Sequence, residues 1–244
     1  MKVSVITTTY NHPPEMLQRA MDSVTMQKGV DFEHIVIDDT ITNNGMMETY
    51  RTALNRCKGE YIAFCDGDDY WINSYKLYEQ VRFMDKHKDI SLCTTKVITE
   101  TNKKRTLMGV STSFINRNMS FDNLLKGNAF IYAPSYLIRK SDFDKYIDFN
   151  KFMKFNVWDY PIVLELIKHT RFHCLGFYSA VFTKNTESVT QTRSRKRRLK
   201  YVIGNHKIKW YYILKYGCKP STIAYLIYRF IRDMYSVIFA RLDK

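Results

Sequence analysis

The chain opens on an apolar, β-branched run from Val3 to Thr9. A polar break at Asn11-His12-Pro13-Pro14 follows, and then Met16, Ala20, Met21 and Val24 recur at helical spacing. This pattern predicts a strand, a loop and an amphipathic helix. His34-Ile35-Val36-Ile37 is a second apolar run without polar alternation, as in a strand covered on both faces, and it stops at Asp38-Asp39. A helix over residues 46–57 is expected to end at Lys58-Gly59, where glycine can take the left-handed cap. Tyr61-Ile62-Ala63-Phe64-Cys65 is a third buried strand, and it too runs into acids, Asp66-Gly67-Asp68-Asp69. The order strand, helix, strand implies a parallel sheet with right-handed crossovers. Both acidic groups then lie along its carboxyl edge, where open α/β sheets bind ligands.

Further on, the periodicity predicts a helix over residues 75–87, strands over 90–98 and 130–138, and a helix over 161–169. Residues 100–119 are polar and show no assignable period. Two more helices are expected over 201–216 and 221–242, separated by Gly217-Cys218-Lys219-Pro220. The second is rich in Ile, Leu, Tyr and Phe but carries Arg229, Arg232 and Asp233. Those charges argue against a simple membrane span and for an amphipathic helix lying in a membrane interface.

Composition sharpens this picture in three ways. With 45% hydrophobic and 15% aromatic residues, the 244-residue chain is no disordered polymer and can bury a large core. The net charge of +14 is unevenly placed, since residues 191–244 hold fourteen Lys or Arg against Asp233 and Asp243. A basic tail on a near-neutral body points to an anionic partner, a membrane surface or a nucleic acid. Five cysteines, odd in number and without metal-ligand spacing, fit a reducing compartment, and the first residues lack the pattern of a signal peptide. A cytoplasmic protein is therefore expected, peripheral on the inner face of the cytoplasmic membrane.

Clustered carboxylates repel unless a cation lies between them. A hard ion such as Mg²⁺ or Mn²⁺ accepts oxygen ligands and commonly binds through one or two carboxylates plus substrate phosphates. On spacing alone, Asp66 to Asp69 is equally well a solvated turn or a helix cap. His169 and His173 stand four apart, which on its own is weak grounds for zinc.

Three segments change the balance. Val3-Ser4-Val5-Ile6-Thr7-Thr8-Thr9-Tyr10-Asn11, His34 to Asp39, and Gly59-Glu60-Tyr61-Ile62-Ala63-Phe64-Cys65-Asp66-Gly67-Asp68-Asp69-Tyr70-Trp71 resemble, in order and placement, the inverting family 2 glycosyltransferases of bacterial polysaccharide biosynthesis. The resemblance is close over about the first 95 residues and looser over 128–190. It implies an α/β, GT-A (Rossmann-like) fold, with a mixed, mainly parallel central sheet flanked by helices and a basic helical C-terminal extension. Residues 1–192 would form the glycosyltransferase domain, with a nucleotide-sugar half (1–99) and an acceptor half (100–192), and 193–244 the membrane-associating tail.

The resemblance also implies roles. Thr8, Tyr10, Asp38, Asp39 and Asp66 would hold a UDP-, GDP- or dTDP-linked sugar, and Asp68 with Asp66 would bind Mn²⁺ or Mg²⁺. Asp69 would support the loop. Trp158-Asp159-Tyr160-Pro161 resembles the family's base motif and nominates Asp159 to deprotonate the hydroxyl of a glycan or lipid-linked saccharide acceptor. As a residue just ahead of a helix, Asp159 reads equally as a cap. Two departures stand out. The interval between Asp39 and Gly59 is short for the family, as if a peripheral strand and helix were missing. Thr183 and Asn185 occupy places that usually carry Arg and His near the diphosphate, with Lys184 or the Arg195-Lys196-Arg197-Arg198 cluster as replacement charge.

Other readings remain. A nucleotidyltransferase would be expected to carry a Gly-rich phosphate loop, where this chain has Thr7-Thr8-Thr9. A non-catalytic relative would bind donor without turnover. A basic nucleic-acid-binding protein would show steeply salt-dependent binding, but no nucleic-acid motif accompanies the charge.

Overall fold

The structure is a computed structural model that describes residues 1–127, 131–155, 157–184 and 194–239. The opening pattern folds as read: β1 (Val3–Thr9), α1 (Pro14–Thr25), β2 (Phe32–Asp38), α2 (Met46–Arg56) and β3 (Tyr61–Phe64). β1 pairs in parallel with β2 on one side and β3 on the other. The unbroken apolar run in β3 has a direct cause. Tyr61, Ala63 and Cys65 face one core together with Val3, Val5 and the α1 residues Ala20 and Val24. Ile62 and Phe64 face the other with Ile6 and the α2 residues Tyr50 and Ala53. Both faces of the strand are dry, so period-two alternation disappears. The chain between β2 and β3 holds α2 as its one regular element.

After β4 (Tyr70–Trp71) come α3 (Lys76–Lys86), β5 (Ile90–Thr101), β6 (Lys104–Leu107), α4 (Thr112–Asn118), α5 (Phe121–Lys126), β7 (Leu137–Arg139) and α6 (Lys140–Tyr146). α7 (Asp159–His169), β8 (Arg171–Thr183), α8 (Arg195–Tyr216) and α9 (Pro220–Phe239) complete the described chain. The sheet order is β2-β1-β3-β7-β5-β8-β4, with β6 paired to β5. Its longest ladders, β1 with β2 and β5 with β8, are parallel, whereas β7 joins β3 to β5 antiparallel to both.

Three departures from the predicted elements have local reasons. The polar stretch after residue 100 is a hairpin, turned by Asn102 and Lys103 at φ of 49° and 63°, and then α4. No glycine marks that turn, so its signal was faint. In place of a strand across the whole of 130–138, Ala133–Ser135 is a 3₁₀ turn around Pro134, and only Leu137–Arg139 pairs. Proline cannot donate to a ladder. Residues 128–130 lie outside the described chain. The 13-residue β8 had no prediction, because Gly176 and register shifts against β5 interrupt its alternation.

The basic C-terminal segment is built into the same core as the rest. Ile208, Tyr212 and Ile213 of α8 and Leu226 of α9 are buried in the cluster that holds Ile6, Phe64 and Trp158. Tyr212 Oη donates to the Pro161 carbonyl at 2.9 Å. Lys215 Nζ reaches both oxygens of buried Glu165 on α7 at 2.8 and 2.9 Å. Asp122 accepts from the Lys219 N–H at 3.0 Å and the Thr222 hydroxyl at 2.6 Å, which fixes the turn between the two helices.

Candidate active site

The parallel register brings the ends of β1, β2 and β3 side by side. Thr9 pairs with Asp38, the Asp39 N–H donates to the Thr9 carbonyl at 2.9 Å, and the Gly67 N–H donates to the Thr8 carbonyl at 3.0 Å. Thr8, Tyr10, Asp38, Asp39 and the acidic loop therefore share one edge. A Cβ on Gly67 would stand 2.7 Å from His12 Nδ1 and 3.2 Å from the Thr8 carbonyl, so the loop needs glycine to lie this close to β1.

The carboxylates along this edge divide into two environments. Asp38 is exposed and accepts the Thr40 N–H at 2.9 Å, and bonding with Thr40 holds its pKa below the ordinary value. Asp39 is buried. It accepts the Thr42 hydroxyl at 2.7 Å and the Asn44 and Gly45 N–H groups at 2.8 and 2.9 Å, which likewise keep it low. Its bonds thus shape the loop that launches α2. Tyr10 is 48% exposed and free to present a ring to solvent or ligand.

The acidic loop is the opposite case. Burial, with the nearby charges of Asp68 and Asp159, pushes Asp66 up to about 7 even though the Tyr50 hydroxyl and Thr8 Oγ1, at 3.2 Å, donate to it. Burial also raises Asp68, against the pull of His12 and Arg19. Asp69, 2% exposed, is raised well above the ordinary range by burial and by its two acidic neighbours. It accepts the Thr183 N–H at 2.8 Å and so ties the loop to the end of β8. Arg19 flanks the group, its guanidinium 4.0 Å over the Tyr70 ring and 3.4 Å from the Asp68 carbonyl.

Asp159 opens α7 and accepts the Tyr160 N–H at 2.8 Å, the short-range bond of a helix start, yet burial raises its pKa. It connects to the acidic loop through aromatic rings. Tyr50, whose hydroxyl bonds Asp66, stacks on Trp158 with ring centroids 4.0 Å apart, and Trp158 also packs on Phe64 at 4.4 Å. A cavity of about 910 Å³ opens beside Asp159 between the start of α2 and α8, and a second of about 330 Å³ lies toward Tyr132 and Tyr136. Tyr201 of α8 borders the larger cavity, its phenol pushed up by burial and by the Asp159 charge.

Sequence reasoning missed Tyr50, Trp158, Arg19 and Tyr201 as members of this constellation. Tyr50 and Tyr201 carry no separate signal, because in helices they read as packing residues. Of the expected diphosphate segment, Thr183 has a buried hydroxyl without a hydrogen-bond partner among the described residues. Lys184 donates its N–H to the Glu100 carbonyl at 2.7 Å. Asn185 and residues 186–193 lie outside the described chain. His169 bonds Glu165 and Tyr216, while His173 stacks on Phe83 at 4.6 Å, so the two histidines serve different contacts.

Among the described residues, no three His, Cys, Asp or Glu side chains converge on a point that could hold a metal. The donor set fits a divalent cation of the kind completed by substrate phosphates, because Asp66 and Asp68 are oxygen donors two residues apart on one loop whose carboxyl groups burial raises.

A mixed sheet with its longest ladders parallel, helices on both faces and an acidic loop at the carboxyl edge defines the GT-A class of α/β folds. A solved structure of a Staphylococcus aureus poly(ribitol-phosphate) β-N-acetylglucosaminyltransferase in complex with UDP matches over 100% of this chain and 74% of that one, with a TM-score of 0.64 at 18% identity. A Pyrobaculum calidifontis mannosyltransferase in complex with GDP-mannose and Mn²⁺ matches over 98% and 70%, with a TM-score of 0.61 at 12% identity. The model of glycosyl transferase family 2 matches residues 40–147, a span that includes Asp66 to Asp69 but neither β1 nor Asp159. That span is less than half of the chain, and over it the chain is similar to the family. In sequence, an uncharacterized Mycobacterium bovis protein is 35% identical over 101 residues, and the match spans 41% of this chain and 28% of that protein. The staphylococcal enzyme is 30% identical over 123 residues, 39% of this chain and 21% of its own length.

Proposed function

We propose that the chain transfers a sugar, with inversion, from a nucleotide-diphosphate-sugar to a hydroxyl of a glycan or lipid-linked acceptor in cell-surface polysaccharide biosynthesis. One observation carries the reading. Two carboxyl groups of raised pKa, Asp66 and Asp159, are coupled through the Tyr50–Trp158 stack, one at the sheet edge and one beside a large cavity. Donor chemistry and acceptor chemistry have separate but connected places. The solved relatives bind UDP and GDP-mannose, which supports a nucleotide-sugar at the same edge here.

In this mechanism Thr8, Tyr10, Asp38 and Asp39 bound the nucleotide, with Tyr10 offering a ring to the base and Asp39 holding the loop in place. Asp68 and Asp66 would hold Mn²⁺ or Mg²⁺, which would supply positive charge to the diphosphate. Asp159 takes the proton from the acceptor hydroxyl as its oxygen attacks the anomeric carbon from the face opposite the diphosphate. The C–O bond to the sugar forms as the bond to the diphosphate oxygen breaks. Burial raises the Asp159 carboxyl above its ordinary pKa, which makes its carboxylate a stronger base. Trp158 and Tyr50 keep Asp159 and Asp66 in fixed relation.

The C-terminal helices supply the attachment. Ile227, Ile231, Tyr235 and Ile238 recur at helical spacing along α9 and are 49%, 63%, 64% and 53% exposed. No helix among the described residues is long and apolar enough to cross a membrane. An exposed apolar stripe on a basic segment suits binding in the plane of an anionic surface, here the inner face of the cytoplasmic membrane.

The test is transfer and hydrolysis across UDP-, GDP- and dTDP-sugars with Mn²⁺, using wild type and Asp159→Asn. The substitution is expected to retain nucleotide binding and lose transfer by about 10²- to 10⁴-fold. Undiminished transfer in Asp159→Asn would remove Asp159 from the reaction.

A further inference from the structure

The 910 Å³ cavity beside Asp159 has a composition that the proposed transfer does not use. Its α8 wall carries Arg197, Lys200 and Lys209, and the facing wall offers Met46, Met153 and Phe155. Its acids are Asp159 and Glu48, and Glu48 is already paired with Arg51 at 2.6 Å. Lys209 is the unusual member. It is only 7% exposed, yet among the described residues its amino group makes no hydrogen bond and no ion pair. Burial and the nearby Arg229 charge lower its pKa to about 8, with Asp233 opposing them only in part. Holding an ammonium in so largely buried a place is costly, and an anion entering the cavity would offset that cost. Arg197 and Lys200, from the same helix, add two flexible donors at the rim.

We propose that this cavity is an acceptor subsite for a phosphate-bearing molecule, with Lys209, Lys200 and Arg197 taking the phosphate and the methionine and phenylalanine wall taking an apolar or sugar portion. The proposal rests on the assignment of Asp159 as the base, since the acceptor hydroxyl must then stand at the cavity's Asp159 end. It explains why a basic helix closes over the catalytic half: α8 brings the charges that select the acceptor.

The phosphate can belong to a lipid carrier or to a water-soluble phosphosaccharide, and the probes separate the two. Calorimetric titration of the full chain with octyl phosphate, glycerol 3-phosphate and uncharged octyl glucoside, the last below its micelle concentration, reads the subsite directly. At least one phosphate probe is expected to bind, and octyl glucoside to bind far more weakly. Lys209→Met should weaken phosphate binding by about tenfold or more. Because a buried substitution can disturb folding, the variant Lys200→Gln, at an exposed position, carries the same expectation. Octyl phosphate binding tighter than glycerol 3-phosphate supports a lipid-borne phosphate, and equal binding supports a soluble one. Octyl glucoside binding as well as octyl phosphate, or full phosphate affinity in both variants, would overturn the proposal. UDP and GDP titrated with Mn²⁺ test the donor reading separately, and in the variants their affinity should match that of wild type.

Discussion

Asp66→Asn should make the protein more stable at neutral pH while removing one of the two proposed metal ligands. The carboxyl group of Asp66 is raised from 3.8 to about 7, first by burial and then by the charges of Asp68 and Asp159. A raised carboxyl pKa means that, between those two values, the folded state binds more protons than the unfolded chain. Stability is therefore complete below about pH 4 and declines as pH rises through about 7. At about 1.4 kcal/mol per pH unit, the interval corresponds to about 4 kcal/mol at most, since Asp66 keeps some contact with solvent. An amide removes the charge but keeps an oxygen to accept from Tyr50 and Thr8. Urea unfolding of both proteins should show Asp66→Asn more stable by about 2–4 kcal/mol at pH 8 and nearly equal at pH 4. Mn²⁺ with UDP or GDP should stabilise wild type and leave the variant nearly unmoved. A difference that is the same at both pH values, or a variant less stable at pH 8, would refute the view that this carboxylate is held under electrostatic strain.

Three further outcomes are expected. Glu165→Ala removes the acceptor for Lys215 and Tyr216 that ties α7 to α8, and should cost about 2 kcal/mol in urea unfolding; Arg171→Ala, breaking the exposed pair with Asp89 at 2.9 Å, should cost less than about 1 kcal/mol. Gly67→Ala puts a methyl group against His12 and the Thr8 carbonyl, so nucleotide binding should weaken more than global stability falls, as calorimetry and urea unfolding would show. Ile231→Asp with Tyr235→Asp, both at exposed positions, should abolish flotation with phosphatidylglycerol vesicles without changing the melting temperature.

The N-terminal half was legible because its signals are local. Apolar runs that end in acids define both strand and edge. Gly59, expected as a left-handed cap of α2, has no positive φ and instead lies against the Val3–Ser4 backbone, so β1 and not the helix end requires it. The second half was less legible because its order comes from long-range pairing. β8 borrows its register from β5, and β7 is only three residues long, inserted antiparallel between strands far apart in sequence. The site divides the same way. Asp66, Asp68 and Asp159 stand in recognisable motifs, whereas Tyr50 acquires its place only when α2 packs against Trp158. Lys209 looked like one more charge on a basic tail until folding buried it beside the cavity.

The acidic loop is proposed to bind a divalent cation together with a nucleotide diphosphate. Its most direct test is calorimetric titration of UDP and GDP into wild type and Asp68→Ala, each in Mn²⁺ and in EDTA. Wild type is expected to bind one of the nucleotides at least about tenfold more tightly with Mn²⁺, and Asp68→Ala to lose that gain. Equal affinity in Mn²⁺ and EDTA, or a gain that survives Asp68→Ala, would contradict it.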